Sequence, residues 1–148
     1  MHATCKLAAL MLALSSCATD TELYSDRGVV CLFSGDSQEA GPDGLYDYEP
    51  GSALRVMARS PGCFQTGCFD VVDAECGVDV EDGEIRLETF FSVKTRKRLQ
   101  CKSDCSQAEA SCKSTAVLAE GTYEVVFGTT HLSLEIPSKQ AAICFDVP

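Results

Sequence analysis

Ten cysteines are the side chains in this sequence most able to do chemistry. A thiolate can attack an electrophile, ligate a metal or oxidise to a disulfide, and its surroundings decide which. Cys63-x4-Cys68 and Cys101-x3-Cys105-x6-Cys112 do not follow the C-x2-C spacing of common zinc sites, so no structural metal is expected. Cys31, Cys63, Cys68, Cys76, Cys101, Cys105, Cys112 and Cys144 instead read as a disulfide framework of up to four bridges. Such staples are the usual device of a small domain in an oxidising compartment. Eight cysteines admit roughly a hundred pairings, and spacing selects none of them. The turn over residues 61–68 could be closed by a local bridge between Cys63 and Cys68.

Nucleophilic catalysis needs a base beside the nucleophile and a group that orients the base. The chain has two histidines, and the one outside the N-terminal stretch, His131, falls on the polar face of an expected strand, where it reads as a solvated edge residue. No G-x-S-x-G, H-E-x-x-H or P-loop occurs. Glu81, Asp82, Glu84 and Glu88 flank an expected hairpin turn, a place where carboxylates are normally solvated. No catalytic residue, no cofactor and no enzyme activity are therefore expected. Calcium ligands are plentiful in Asp36, Asp43, Asp47 and Glu49 and in Asp79, Glu81 and Asp82, but neither group follows the EF-hand pattern. A solvated acidic face is the expectation there.

Two features suit contact with a partner better than catalysis. Tyr46 and Tyr48 stand in a polar loop, where tyrosine supplies rigid amphipathic contact area unless both rings fold back over the domain. Arg96, Lys97 and Arg98 belong to the basic run 94–98, which could hold lipid phosphates or an acidic partner, or pair with the domain's own acids. The chain as a whole carries 12 basic and 22 acidic residues, a formal charge of −10. Such a surface repels nucleic acid, which is excluded as a partner.

The first residues have the three-part plan of a secretory signal. Residues 1–6 carry one side-chain charge, Lys6, and residues 7–14 are apolar throughout. A run that short cannot span a bilayer, which takes about 20 apolar residues. Leu14-Ser15-Ser16-Cys17 follows, and it resembles the lipobox of bacterial lipoprotein precursors. The resemblance covers the leader alone. It implies cleavage before Cys17, a diacylglyceryl thioether on Cys17 and fatty acylation of the new amine, hence a membrane partner through an N-terminal lipid. An ordinary cut after Ala18 is the alternative and would give a secreted protein. Either cut leaves eight cysteines free to pair, the first because it commits Cys17 to lipid and the second because it removes Cys17, so parity does not separate them. With Ala18 rather than Asp after the cysteine, the common sorting rule for such lipoproteins favours the outer membrane over the inner.

The chain then divides into a signal peptide over 1–16, a lipidated tether over 17–27 that is polar and lacks apolar period, and one domain over 28–148. Loss of Lys6 takes the mature charge to −11. Short alternating or β-branched runs predict strands at 29–33, 53–59, 69–72, 77–81, 84–94, 122–127, 131–136 and 143–147. Asp82-Gly83 suits a type I′ hairpin turn, and Ile85, Leu87, Phe91 and Val93 share one face of the return strand with Thr89 between them. Residues 34–51 read as a long loop and 101–116 as a stapled loop. Seven or so strands with turns between them predict an all-β, disulfide-stapled β-sandwich, immunoglobulin-like or similar. The stretch Leu118-Ala119-Glu120-Gly121-Thr122-Tyr123 resembles the tyrosine corner of immunoglobulin-like sandwiches, although Val125 stands where the second cysteine of antibody domains would be and the chain has no Trp. The expected role is a non-enzymatic binding or structural module of the cell envelope, its partner an envelope protein or a glycan. An exported protease inhibitor and a carbohydrate-binding module are the alternatives.

Overall fold

The protein is seen in a computed structural model that describes residues 19–35, 40–96 and 100–148. Cys17, Lys97 and Arg98 lie outside the described residues, as do the leader and Asp36. Among the described residues the chain is all-β, with eleven strands and no helix. They are β1 (Thr19–Ser25), β2 (Gly28–Ser34), β3 (Tyr46–Tyr48), β4 (Ala53–Arg59), β5 (Phe69–Glu81), β6 (Glu84–Arg96), β7 (Glu109–Val117), β8 (Gly121–Phe127), β9 (Thr130–Ile136), β10 (Ser138–Gln140) and β11 (Ile143–Val147). One sheet contains β1, β5, β6, β8 and β9, a second runs β11-β2-β4-β7, and β10 pairs with β3 in a two-stranded ribbon.

Alternation decides which side chains go inward. Ile85, Leu87, Thr89, Phe91 and Val93 of β6 are all buried on one face, as a period of two requires. They meet Val30 and Leu32 of β2, Leu54, Val56 and Ala58 of β4, and Ile143 and Phe145 of β11 in a single core. Across that core the rings of Phe127 and Phe145 stand edge to face with centroids 5.9 Å apart. The hairpin turn between β5 and β6 has positive φ at both Asp82 (49°) and Gly83 (82°), as the type I′ geometry demands.

Strand β6 serves two partners along one of its edges. Its C-terminal half, Phe90 to Arg96, pairs antiparallel with β1, while Glu84 to Leu87 pair parallel with β8. The other edge pairs with β5 along its whole length. Asp26 fills the junction: its N–H donates to the Thr89 carbonyl at 2.9 Å, and its carboxylate accepts the Thr89 N–H at 3.1 Å. The chain then crosses to the second sheet through Gly28, whose φ of 107° suits glycine. A Cβ there would fall on the carbonyl oxygen of Arg59.

Four disulfides staple these layers. Cys31–Cys144 joins directly opposed residues of β2 and β11. Cys76–Cys112 links β5 at the edge of one sheet to β7 at the edge of the other, Cα to Cα 5.8 Å. Cys63–Cys105 and Cys68–Cys101 bind the β4–β5 loop to the segment before β7, so the local Cys63–Cys68 bridge suggested by spacing does not form. The two loops also exchange main-chain hydrogen bonds of 2.9 Å between Phe64 and Ser106, a pairing that holds both cysteines of the β4–β5 loop opposite the other segment.

Several sequence expectations need correction. Residues 19–25, read as tether, form β1; no side chain from Asp20 to Ser25 is buried, so the strand leaves no apolar signal and is held by its ladder to β6. The runs at 69–72 and 77–81 are one strand, β5, whose Asp73 and Glu75 turn to solvent and whose alternation is re-phased by an irregularity between Val71 and Asp73. The stapled loop stops at Ala108 and continues as β7, an edge strand built of small and polar residues. Tyr48 is not a contact residue: it is fully buried in the core. Its hydroxyl donates to the Leu32 carbonyl at 2.9 Å and accepts the Ile143 N–H at 3.3 Å, tying β3 to β2 and β11.

The Tyr123 hydroxyl turns back to the residues before β8, accepting the Ala119 N–H at 2.9 Å and donating to the Ala119 carbonyl at 3.2 Å. Removing either hydroxyl leaves buried or half-buried main-chain groups without that partner. Tyr48→Phe and Tyr123→Phe are each expected to lose about 1–2 kcal/mol of stability, read from urea unfolding with an unchanged m-value.

Candidate functional site

The corner where β1, the end of β6 and the stapled loops meet holds a cleft of about 530 Å³. Tyr24 and Glu22 reach it from β1, Thr95 and Arg96 from β6, Phe69 from β5 and Phe64 from the β4–β5 loop. Phe64 is buried and its ring stacks on that of Phe69, centroids 5.3 Å apart, so the floor is aromatic and rigid. The walls are polar. The Tyr24 hydroxyl donates to the Glu22 carboxylate, and the Arg96 guanidinium pairs with Asp70 of β5. Burial, and next the hydrogen bond to Glu22, push the Tyr24 phenol up to about 12, so it stays a donor at any physiological pH. Arg27 stands over the same ring, 5.8 Å from its centroid, on the far side of the β1–β2 corner.

This arrangement offers stacking surface, a hydroxyl, a carboxylate and a guanidinium. It suits recognition of an amphipathic group, and it presents no nucleophile with a base. Sequence reasoning found Arg96 but missed Glu22, Tyr24, Phe64 and Phe69. Their assembly depends on which cysteines pair, and that was not legible from spacing.

The remaining sequence candidates sit elsewhere. Tyr46 is half-buried, its ring edge to face with Phe33 at 5.1 Å, next to the fully buried Tyr48. Burial pushes the Tyr48 phenol upward. His131 lies on β9 with Nδ1 2.9 Å from Glu124 on β8, both side chains more than half exposed. At the hairpin, Glu84 pairs with Arg86, and Glu81 and Asp82 are exposed. Among the described residues no three His, Cys, Asp or Glu side chains converge as metal ligands would. The Lys139 ammonium of β10 lies 2.6 Å from Asp43 in the β2–β3 connection, and this contact, with the N–H of Leu45, holds the Asp43 carboxyl below its ordinary value. Comparison with family models, with curated proteins and with solved structures returns no match to this chain.

The loops that form the cleft carry an acid-sensitive clasp. The Asp104 carboxylate accepts the Thr66 N–H at 2.9 Å, and that hydrogen bond holds the Asp104 carboxyl below its ordinary value. Because the folded carboxyl is the stronger acid, its contribution is complete above the ordinary carboxylate range and is lost as pH falls through the lower folded value. The Thr66 amide is therefore expected to stay protected from hydrogen exchange at neutral pH and to lose protection on acidification. In Asp104→Ala it should be unprotected throughout. Protection that is independent of pH in the wild type would contradict the clasp.

Proposed function

We propose that this protein is an exported lipoprotein of the cell envelope, anchored through Cys17, whose domain is a non-enzymatic binding module. The pairing of cysteines is the observation that carries this reading. All eight cysteines among the described residues are joined in four disulfides. Cys5 and Cys17 lie outside the described residues, the first within the expected leader and the second closing the lipobox-like Leu14-Ser15-Ser16-Cys17. A four-bridge framework suits an oxidising compartment beyond the inner membrane. The two larger sheets read as the leaves of a β-sandwich of immunoglobulin-like kind. A core drawn from both sheets and the hydrogen bonds of Tyr123 support that reading.

The binding half of the reading rests on the aromatic cleft between Tyr24, Phe64 and Phe69, whose stacking surface and polar walls suit a peptide or glycan of the envelope. The lipid half is tested by growth with a labelled fatty acid. Wild type is expected to incorporate label and Cys17→Ala to lose it almost entirely, with the variant released from the membrane fraction. Equal labelling of the two proteins would refute attachment at Cys17 and leave cleavage after Ala18.

A further inference from the structure

The start of β1 decides how an anchored domain faces its membrane. Thr19 is paired with Arg96, at the C-terminal end of β6, and Thr19 is only two residues beyond Cys17. Two residues reach at most about 7 Å, so the proposed lipid is attached within that distance of the start of the sheet. The same end of the molecule carries the stapled loops. Cys68 accepts the Arg96 N–H at its carbonyl, 2.8 Å, and Cys68–Cys101 and Cys63–Cys105 hold residues 62–66 against residues 101–106. Gly62, Thr66 and Lys102 at this end are exposed.

The opposite end is the Asp82-Gly83 hairpin. Strands β5 and β6 are 13 residues each, so that tip stands roughly 40 Å away along the strands, at about 3.3 Å per residue. Charge follows the same axis. Asp79, Glu81, Asp82, Glu84 and Glu88 gather towards the hairpin against one cation, Arg86. The end near Thr19 carries Lys94, Arg96 and Lys102 among its acids. An anionic headgroup surface repels the first end more than the second.

Resting on the lipid reading above, we infer that the doubly stapled loops 60–68 and 100–108 form a membrane-facing platform seated on lipid headgroups, with the acidic hairpin presented outward. The occupant of this surface is the bilayer that holds the lipid of Cys17. The short link supplies the proximity, and the two disulfides keep the loops from folding away. The cleft lined by Tyr24 and Phe69 then opens beside the membrane surface.

The test uses the protein as its producing cell processes it, purified from the membrane fraction and placed in nanodiscs that contain a gadolinium-chelating lipid. Amide relaxation at Gly62, Thr66 and Lys102 is expected to rise several-fold over a diamagnetic lanthanide control, while Asp82 and Gly83 stay at the control rate. Equal enhancement at both ends, or a larger one at the hairpin, would overturn the orientation while leaving the lipid in place. Mass spectrometry of the same sample reads the other failure separately. A mass without added acyl groups refutes the anchor and the platform together. Cys17→Ala, mixed with the same nanodiscs, should show no enhancement at either end; enhancement there at Gly62 and Thr66 equal to wild type would show that the anchor does not set the orientation.

Discussion

The architecture depends on one strand edge being shared. β6 carries β1 on one half of an edge and β8 on the other, and each neighbour ends where the next begins. Two strands meeting end to end would leave the main chain of Thr89 without partners at a buried position, which is costly. Asp26 removes that cost by giving Thr89 one main-chain and one side-chain hydrogen bond. The residue also has a φ of 51°, a conformation that aspartate tolerates better than most residues. From this joint the chain leaves the first sheet for the second, so the same few atoms fix the sheet junction and the crossover.

The disulfides act at the places where hydrogen bonding does not close the structure. β5 and β7 are edge strands of different sheets, and Cys76–Cys112 joins them. The loops 60–68 and 100–108 have little regular structure, and two bridges tie them together. Cys31–Cys144 differs, since its strands already pair. Its loop spans a sequence separation of 113, so its effect falls mainly on the unfolded chain, at about 4–5 kcal/mol in a loop-entropy picture. Staples of these two kinds explain how a chain with no helix among its described residues holds a rigid aromatic cleft made largely of loop.

Legibility in the sequence followed burial. Residues 53–59 and 143–147 were read as strands with the bounds they have, because alternating side chains there enter the core. The Asp82-Gly83 turn was legible from chemistry alone. β1 and β7 were not, since an edge strand whose side chains stay wet has no period in hydropathy. Tyr46 and Tyr48 looked alike as loop residues. Two residues apart on β3, they share a face, and their fates diverge by position along it: Tyr48 reaches the Leu32 carbonyl and the Ile143 N–H inside the core, while Tyr46 stops at the margin against Phe33. The cleft was beyond reach, because Phe64 and Tyr24 come together only once Cys63 and Cys68 have found partners some 33 to 42 residues away.

The strand that sequence reading took for a tether and the structure places in a sheet meets two demands that the proposed anchoring would make of the domain. A tether must be polar, and β1 is: none of its side chains from Asp20 to Ser25 is buried, and Leu23 is 63% exposed. A rigid attachment must share load, and β1 does so through a seven-residue antiparallel ladder to β6. Tension drawn from Thr19 outward along the strand axis loads the ladder in shear, so its hydrogen bonds resist together rather than opening one at a time. Because β6 also carries β5 and β8, that load passes into the whole sheet. Under the anchoring proposed above, load on β1 enters the ladder to β6 first, and β1 touches the core through the half-buried ring of Tyr24.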